Sequence, residues 1–444
     1  MVRAEVLLIC IGMTVVTGWT EPPYIGDYDA ELRQDGHVDS ALMVQRLQEL
    51  GANTYMWLIW HSPNDWENLH EFLPLAAEAG ITVWVYLVPP SETAATHPQF
   101  PYSEPFRLDY VRWAEETAKL SLEHENLVGY VIDDFWGNVN PRWFTPESIE
   151  AMVDAGRAIN PEIKFYPLMY YNQIGPRFIQ MLGTVADGVV AAYPRDRETI
   201  ERALGYLNGE FAVPAAGEIV YPWDAPSQAG DHGLLRQTVR VTDAEHAAVS
   251  FRFADDFDGP TAGYHFLQVR VGDEVVWEED VAGPDDGEVT VDLSEQVAGE
   301  DEVTLTVSVF DRKGVGNFGV IATFSELRAE GLELAAIDDE DAWSEHLQGA
   351  FSTALTPRFE PEEPIHLPLI VMPAGQRGEY QQRHGDEGTA ERIAAQYRMC
   401  LQLVAEGATQ GVVSYCLDKR PGNPDFEAVR QVIAEYRAGA PADE

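Results

Sequence analysis

The sequence predicts a (β/α)8 TIM barrel with an antiparallel β-sandwich inserted after the sixth strand. Three observations predict it. Eight short apolar runs are separated by amphipathic helical stretches, a long interval after the sixth run alternates with period two, and one run ends in two adjacent carboxylates, Asp133 and Asp134.

The apolar runs are Val6 to Val16, Thr54 to Trp60, Ile81 to Val88, Leu127 to Ile132, Ile163 to Met169, Val185 to Ala192, Leu367 to Met372 and Gly411 to Cys416. A parallel strand buried on both faces carries no polar alternation, so it reads as such a continuous stretch. Between the runs, apolar residues recur at helical spacing, as in Ile393, Tyr397, Cys400, Leu401 and Val404, or Phe426, Val429, Val432, Ile433 and Tyr436. Gly51, Gly80 and Gly407 fall just past three of the helical stretches, where a left-handed residue ends a helix. No G-x-G-x-x-G turn follows the first run, which favours a closed barrel over an open dinucleotide-binding sheet.

Between Tyr193 and Leu367 lies more chain than one crossover helix needs. Val303, Leu305, Val307 and Val309 point one way while Thr304, Thr306 and Ser308 point the other. Similar runs occur at Val249 to Phe253, Phe266 to Val271, Val275 to Trp277 and Val289 to Leu293, separated by Gly-Asp, Asp-Gly and Gly-Pro turns. The expected division is therefore barrel over residues 1–208, inserted sandwich over 209–340, and barrel again over 341–444, with helix resuming near Asp341 to Leu355.

Charge marks the insert as a separate unit. It carries 29 acidic against 7 basic residues, -22 of the chain's -45. A field this negative repels nucleic acid and anionic membrane, so neither is expected as a partner, and it disfavours strongly anionic polysaccharides. Lys119, Lys164, Lys313 and Lys419 are the only lysines, a surface composition that suits a salty environment. At 444 residues and 45% hydrophobic content, two domains are expected. Cys10, Cys400 and Cys416 have no C-x-x-C or metal-ligand spacing and read as small buried hydrophobes. No apolar run is long enough to span a membrane. Met1 to Val16, with Arg3 ahead of an apolar Val6 to Ile11, is similar to a secretory signal, but Glu5 and the lack of an Ala-x-Ala site speak against that reading, and the strand count favours strand one.

Catalytic groups of a βα-barrel sit where the strands end. Those ends deliver Trp60 and His61 after strand two, Pro89, Ser91 and Glu92 after strand three, and Asp133, Asp134 and Trp136 after strand four. Strand five ends at Tyr170, Tyr171 and Asn172, strand six at Tyr193, strand seven at Gln376, and strand eight at Asp418 beside Lys419. Two acids facing one confined space cannot ionise independently, so one holds a proton near neutral pH; the other reading has one Asp capping a helix or pairing with an Arg. Aromatic faces among carboxylates and amides suit a sugar, whose C–H faces stack on rings while its hydroxyls need directional partners. Asp255, Asp256, Asp258 and Gly259 space their oxygens like a calcium loop but lack the EF-hand frame, and read as a solvated acidic turn. No G-x-S-x-G elbow, P-loop or redox pair is present, and no cofactor is expected.

The stretch Gly129-Tyr130-Val131-Ile132-Asp133-Asp134 resembles the Gly-Trp-x-x-Asn-Glu stretch of the large retaining clan of TIM-barrel glycoside hydrolases. That resemblance implies the general acid/base position for Asp134 and the hydrogen-bonding partner's position for Asp133. The insert is similar to the carbohydrate-binding modules that accompany such barrels. The clan also places a nucleophilic Glu at the end of strand seven, whereas Val371 to Gln376 offers no carboxylate and Glu379 follows in what reads as a loop. The chitinase-like D-x-x-D-x-D-x-E pattern is absent. A partner carboxylate must come from Glu92, Asp418 or Asp133.

The function expected is hydrolysis of an oligo- or polysaccharide, with Asp134, Asp133, Asp418 and Glu92 as catalytic candidates. Trp60, His61, Trp136, Tyr170, Tyr171, Tyr193 and Gln376 are the substrate-binding candidates. A catalytically silent glycan-binding barrel is the first alternative, motivated by the missing strand-seven acid. A divalent-metal barrel enzyme built on His61, Asp133, Asp134 and Asp418, with His384 as a further imidazole, is the second.

Overall fold

Tyr24–Tyr28, Thr54–Ile59, Thr82–Leu87, Leu127–Ile132, Lys164–Tyr170, Val189–Ala192, Leu369–Met372 and Gly411–Tyr415 pair in parallel in chain order, and the eighth closes on the first with Tyr24 opposite Gly411. The computed structural model describes residues 22–439 apart from 30, 137–139, 141–142, 210–212, 223–224, 258–260, 285, 317–318 and 362–363. Helices Ser40–Leu50, Asp65–Glu78, Tyr110–Glu123, Pro146–Ile159 and Pro176–Leu182 fill the first five crossovers, and Arg197–Leu207 leaves the sixth strand. Arg377–His384 and Ala390–Ala405 join strands seven and eight, and Pro424–Arg437 follows.

The expected first strand, Val6 to Val16, lies outside the described residues together with Cys10. The ring closes on Tyr24–Tyr28 instead, a run disguised in the sequence by Gly26 and Asp27. Gly26 is required by spacing, since a Cβ there would stand 1.9 Å from the Thr54 carbonyl oxygen. The need for Val6 to Val16 as a strand therefore disappears.

Strand residues alternate between two apolar layers. Tyr24, Tyr28, Met56, Leu58, Trp84, Tyr86, Val131, Tyr166 and Ile370 fill the barrel interior. Ile25, Tyr55, Trp57, Val85, Ile132, Phe165 and Val371 pack outward against the helices. Trp84 occupies the space a side chain at Gly129 would need, its ring 2.6 Å from an added Cβ. In the outer layer, wholly buried Asp27 pairs with the equally buried Lys419, while Ser414 Oγ and Leu417 N donate to Asp27 Oδ1 at 2.8 and 3.1 Å.

Between strands six and seven, among the described residues, lie two large antiparallel sheets and the short antiparallel pairing of Asn208–Gly209 with Ile365–His366. One large sheet runs Asp286–Asp292, Ala248–Asp255, Val320–Glu330, Ala216–Tyr221, Ser352–Thr356; the other runs Glu274–Asp280, His265–Val271, Glu302–Asp311, His232–Val241, Leu332–Glu333, with Ser344–Gln348 also on His232–Val241. Both contribute to one apolar core: Ile219, Phe251 and Phe324 from the first, Leu235, Leu267 and Val307 from the second. Trp277 joins it, its ring 5.1 and 5.0 Å from Phe251 and Phe253. The helix expected over Asp341 to Leu355 is not formed. Ser344–Gln348 and Ser352–Thr356 are edge strands of these sheets, held by backbone pairing to His232–Val241 and Ala216–Tyr221. The acidic turn also departs from expectation: Asp255 is buried and accepts from Phe257 N at 3.0 Å, and Asp256 accepts from Ile321 N at 2.6 Å. Asp258 and Gly259 lie outside the described residues. Among the described residues no helix is long and apolar enough to cross a membrane.

Candidate active site

Beyond Ile132 the chain stays hooked to both neighbouring strands, with Asp133 N donating to Leu87 O at 2.8 Å and Phe135 N to Leu168 O at 3.1 Å. Between them Asp134 takes a left-handed conformation, φ 37°. Its own N–H turns back onto Asp133 Oδ1 at 2.8 Å. Alternation points Asp133 inward like Val131, and it is 7% exposed, so it acts on the site from beneath. Asp134 is only partly buried.

Left-handed non-glycine residues recur at this rim: Asp29 after strand one (φ 53°), Tyr193 after strand six (φ 58°) and Cys416 after strand eight (φ 55°). Such backbone is unfavourable for residues with a Cβ and is held in place by its surroundings.

Glu92 comes up beside the pair on the short helical turn Pro90–Glu92. Burial and the Asp134 charge push its carboxyl up to about 7. Burial, Asp134 and Glu92 together drive Asp133 well above the ordinary carboxylate range. Burial raises Asp134 as well, against a hydrogen bond from Tyr170 and the field of Arg383, both of which favour its ionised form. Three acids thus share one poorly solvated region, which splits their titrations.

Asn140, fully buried, fastens the two acid-bearing loops together. Its Nδ2 donates to Asp134 O at 2.7 Å and to Ser91 Oγ at 3.0 Å, and its Oδ1 accepts from Ser91 N at 3.0 Å.

Five tyrosines from five strands line the mouth. Ring centroids run from Tyr86 to Tyr28 at 4.0 Å, Tyr28 to Tyr415 at 5.2 Å, Tyr415 to Tyr193 at 5.3 Å and Tyr193 to Tyr170 at 6.1 Å. Tyr28 and Tyr86 are buried and form the floor; Tyr170, Tyr193 and Tyr415 keep partial exposure. The Arg383 guanidinium lies 4.4 Å above the Tyr193 ring and 5.5 Å from that of Tyr170, with its Nε bonded to Glu379 Oε1 at 2.9 Å. Glu379 is therefore not in a loop: it stands in the first turn of Arg377–His384, and its charge acts on Asp134.

Asp133, Asp134, Glu92, Tyr170 and Tyr193 come together. Other candidates do not join them. Asp418 is held by Arg420 and by Asn423 Nδ2 at 3.0 Å, bonds that lower its carboxyl to about 2. It lines a separate cavity of about 900 Å³ with Glu31, Arg33 and Gln376. Gln376 stands at the N-cap position of Arg377–His384 without a side-chain capping bond, and its amide donates to Cys416 O at 2.7 Å. Tyr171 packs into the layer between barrel and helices. Trp60 stands 5.3 Å from the His61 ring and 5.9 Å from Phe100, and His61 Nε2 pairs with Asp29 Oδ1 at 3.1 Å. His61 and Asp418 are thus engaged elsewhere, and the metal set of His61, Asp133, Asp134 and Asp418 does not assemble. The group among the described residues with three ligand atoms mutually within 4.8 Å is Asp29, Glu31 and His61.

Trp136 is buried beneath the Arg177 guanidinium, 4.9 Å from its ring, and borders a cavity of about 580 Å³. Barrel residues Asn172 and Arg177 form one side of this cavity; Glu218, Arg252 and Thr323 of the antiparallel sheets form the other. Arg177 reaches Glu218 across it at 3.5 Å.

Asn140, Arg383 and the role of Glu379 escape sequence reasoning, because all three act from loops or a helix turn. Tyr86 and Tyr415 carried a signal, since each lies at or next to the end of a barrel strand and faces inward by alternation, whereas Tyr28 lies on the strand that the sequence disguised.

No family model and no curated protein matches the chain. Solved structures similar to it include an intracellular xylanase of Thermoanaerobacterium saccharolyticum, at 11% identity over 42% of this chain and 69% of that one, TM-score 0.29. A family 39 glycoside hydrolase from Bacteroides cellulosilyticus is similar at 13% identity over 39% of each chain, TM-score 0.26. The Ignisphaera aggregans GH53 catalytic domain is similar at 14% identity over 42% of this chain and 59% of its own, TM-score 0.29. The matched part spans less than two thirds of the latter two proteins. At this level of similarity the function has to be read from the chain's own residues.

Proposed function

We propose that this barrel is a glycoside hydrolase acting on neutral oligo- or polysaccharides, with Glu92 and Asp134 as its carboxylate pair. The observation that carries the reading is their placement: Glu92, held protonated to about pH 7 by burial and the Asp134 charge, shares one poorly solvated region with Asp134, whose carboxyl burial raises while Tyr170 and Arg383 oppose that rise. Two carboxyls in one such region, one of them protonated near neutral pH, would supply the donor and the base or nucleophile that glycosidic cleavage needs. Glu92 would protonate the leaving oxygen and Asp134 would act on the anomeric centre or its attacking water. This reverses the role implied for Asp134 by the strand-four resemblance. Asp133 fixes the backbone of Asp134 and does not reach substrate. Tyr170, Tyr193 and Tyr415 offer stacking faces, and the chain's charge of -45 favours a neutral glycan. We read the two antiparallel sheets as an inserted sandwich, similar to a carbohydrate-binding module, whose barrel-facing side walls the cleft beside Trp136.

The test is turnover of neutral oligosaccharides by the wild type and by Glu92→Gln and Asp134→Asn. Each variant is expected to lose about 10²- to 10⁴-fold in kcat with folding and glycan binding intact. Near-wild-type turnover in either variant overturns its assignment. Glycan binding by the wild type with no reducing ends released favours the silent barrel instead.

A further inference from the structure

At the ends of the first two barrel strands, Asp29, Glu31 and His61 each bring one ligand atom to within 4.8 Å of the other two. Glu31 is nearly inaccessible, its side chain 1% exposed, and no N–H or O–H group donates to its Oε1. Its carboxyl is hydrogen-bonded to that of Asp29, so a proton holds the two acids together when no cation is bound. A buried carboxyl oxygen without a donor is costly, and two adjoining carboxyls held by a proton form a pair that a cation can take over by displacing that proton.

The nearby cations are shared with other acids. Lys419 is paired with Asp27, and Arg33 Nη2 is 2.7 Å from Asp65 Oδ1 but 3.5 Å from Glu31 Oε2. Asp29 is rigidly placed, because Lys419 Nζ and Tyr55 Oη donate to its carbonyl oxygen at 2.6 and 2.9 Å and its φ is 53°. The Cys416 thiol adds a soft atom 3.5 Å from Asp29 Oδ2. His61, with 41% of its side chain exposed, opens the cluster to solvent.

We propose that Asp29, Glu31 and His61 form a binding site for a divalent transition-type cation, Zn²⁺ or Mn²⁺, at the rim of the barrel mouth. Two carboxylates with an imidazole, and a thiol at the edge, suit these ions better than Mg²⁺ or Ca²⁺, which prefer all-oxygen surroundings. The ion would occupy the space between the carboxyls and His61 Nε2, with solvent on the exposed side completing its coordination. It would tie the loop after strand one to the loop after strand two. The site is distinct from the Glu92–Asp134 pair and does not depend on the glycosidase reading.

The experiment is calorimetric titration of chelator-treated full-length protein with ZnCl₂ or MnCl₂, with excess Mg²⁺ present to saturate surface carboxylates. One saturable site per chain is expected, weakened at least about tenfold in both Glu31→Gln and His61→Ala. The accompanying rise in Tm on metal addition is expected to vanish in both. His61→Ala changes a half-exposed side chain, so it separates lost ligation from lost folding. No saturable one-to-one binding of either ion by the wild type, or undiminished binding by both variants, overturns the site.

Discussion

Asn140 Nδ2 donates to the Asp134 carbonyl oxygen at 2.7 Å and bonds Ser91 Oγ at 3.0 Å, so one amide sets the spacing between the loops that carry Asp134 and Glu92. Removing it leaves Ser91 N and Asp134 O without their buried partner. Asn140→Ala is expected to cost about 1–3 kcal/mol in urea unfolding, the range for orphaned buried groups. It is also expected to lower kcat on a cleaved glycan more than about tenfold, because acid and base lose their register. A stability loss with kcat unchanged would reduce Asn140 to scaffolding.

Glu92 makes stability depend on pH in a defined direction. Folded, it keeps its proton to about 7; unfolded, it loses it near 4.5. Between those values the folded state binds more protons, so stability falls as pH rises and levels off above about 7. Asp133 and Asp134, also raised, act in the same direction. The part due to Glu92 is at most on the order of 3 kcal/mol. Denaturant unfolding from about pH 5 to about pH 8 is expected to show this decline in the wild type and a flatter one in Glu92→Gln. An identical slope in the variant would contradict the burial of Glu92 next to Asp134.

The Asp27–Lys419 pair joins strand one to the segment after strand eight, where the ring closes. Lys419→Met strands a wholly buried carboxylate and is expected to destabilise by about 3–5 kcal/mol. Asp27→Asn combined with Lys419→Met removes both charges and is expected to recover much of that loss. Thermal unfolding of the single and double variants checks the ordering; a double variant no better than Lys419→Met would rule out charge burial as the cause.

Seven of the eight barrel strands were legible because each is covered on both faces and reads as an unbroken apolar run. The first was not, since Tyr24–Tyr28 is five residues long and includes the glycine that Thr54 requires and the acid that Lys419 neutralises. Period two revealed the strands around Val249, Phe266 and Val303, where one face meets the shared core. It could not reveal Ser344–Gln348 or Ser352–Thr356, which are largely exposed and take their shape from backbone pairing alone. In the site, Asp133, Asp134, Glu92, Tyr170 and Tyr193 followed from their positions at strand ends. Asn140, Arg383, Asp29 and Glu31 did not, because long-range loop contacts place them. Asp418 misled for the opposite reason: its position fits the pattern, but Arg420, two residues on, captures it.

Asp29, Asp134, Tyr193 and Cys416 share one backbone habit, and it sets two demands on this rim against each other. At each position a glycine would relax the main chain, while the side chain it erased is an acid, a stacking ring or a buried thiol bonded to one of those acids. Robustness to heat and chemical capability therefore draw on the same four codons, and a lineage refined only for endurance would smooth this mouth into an inert one.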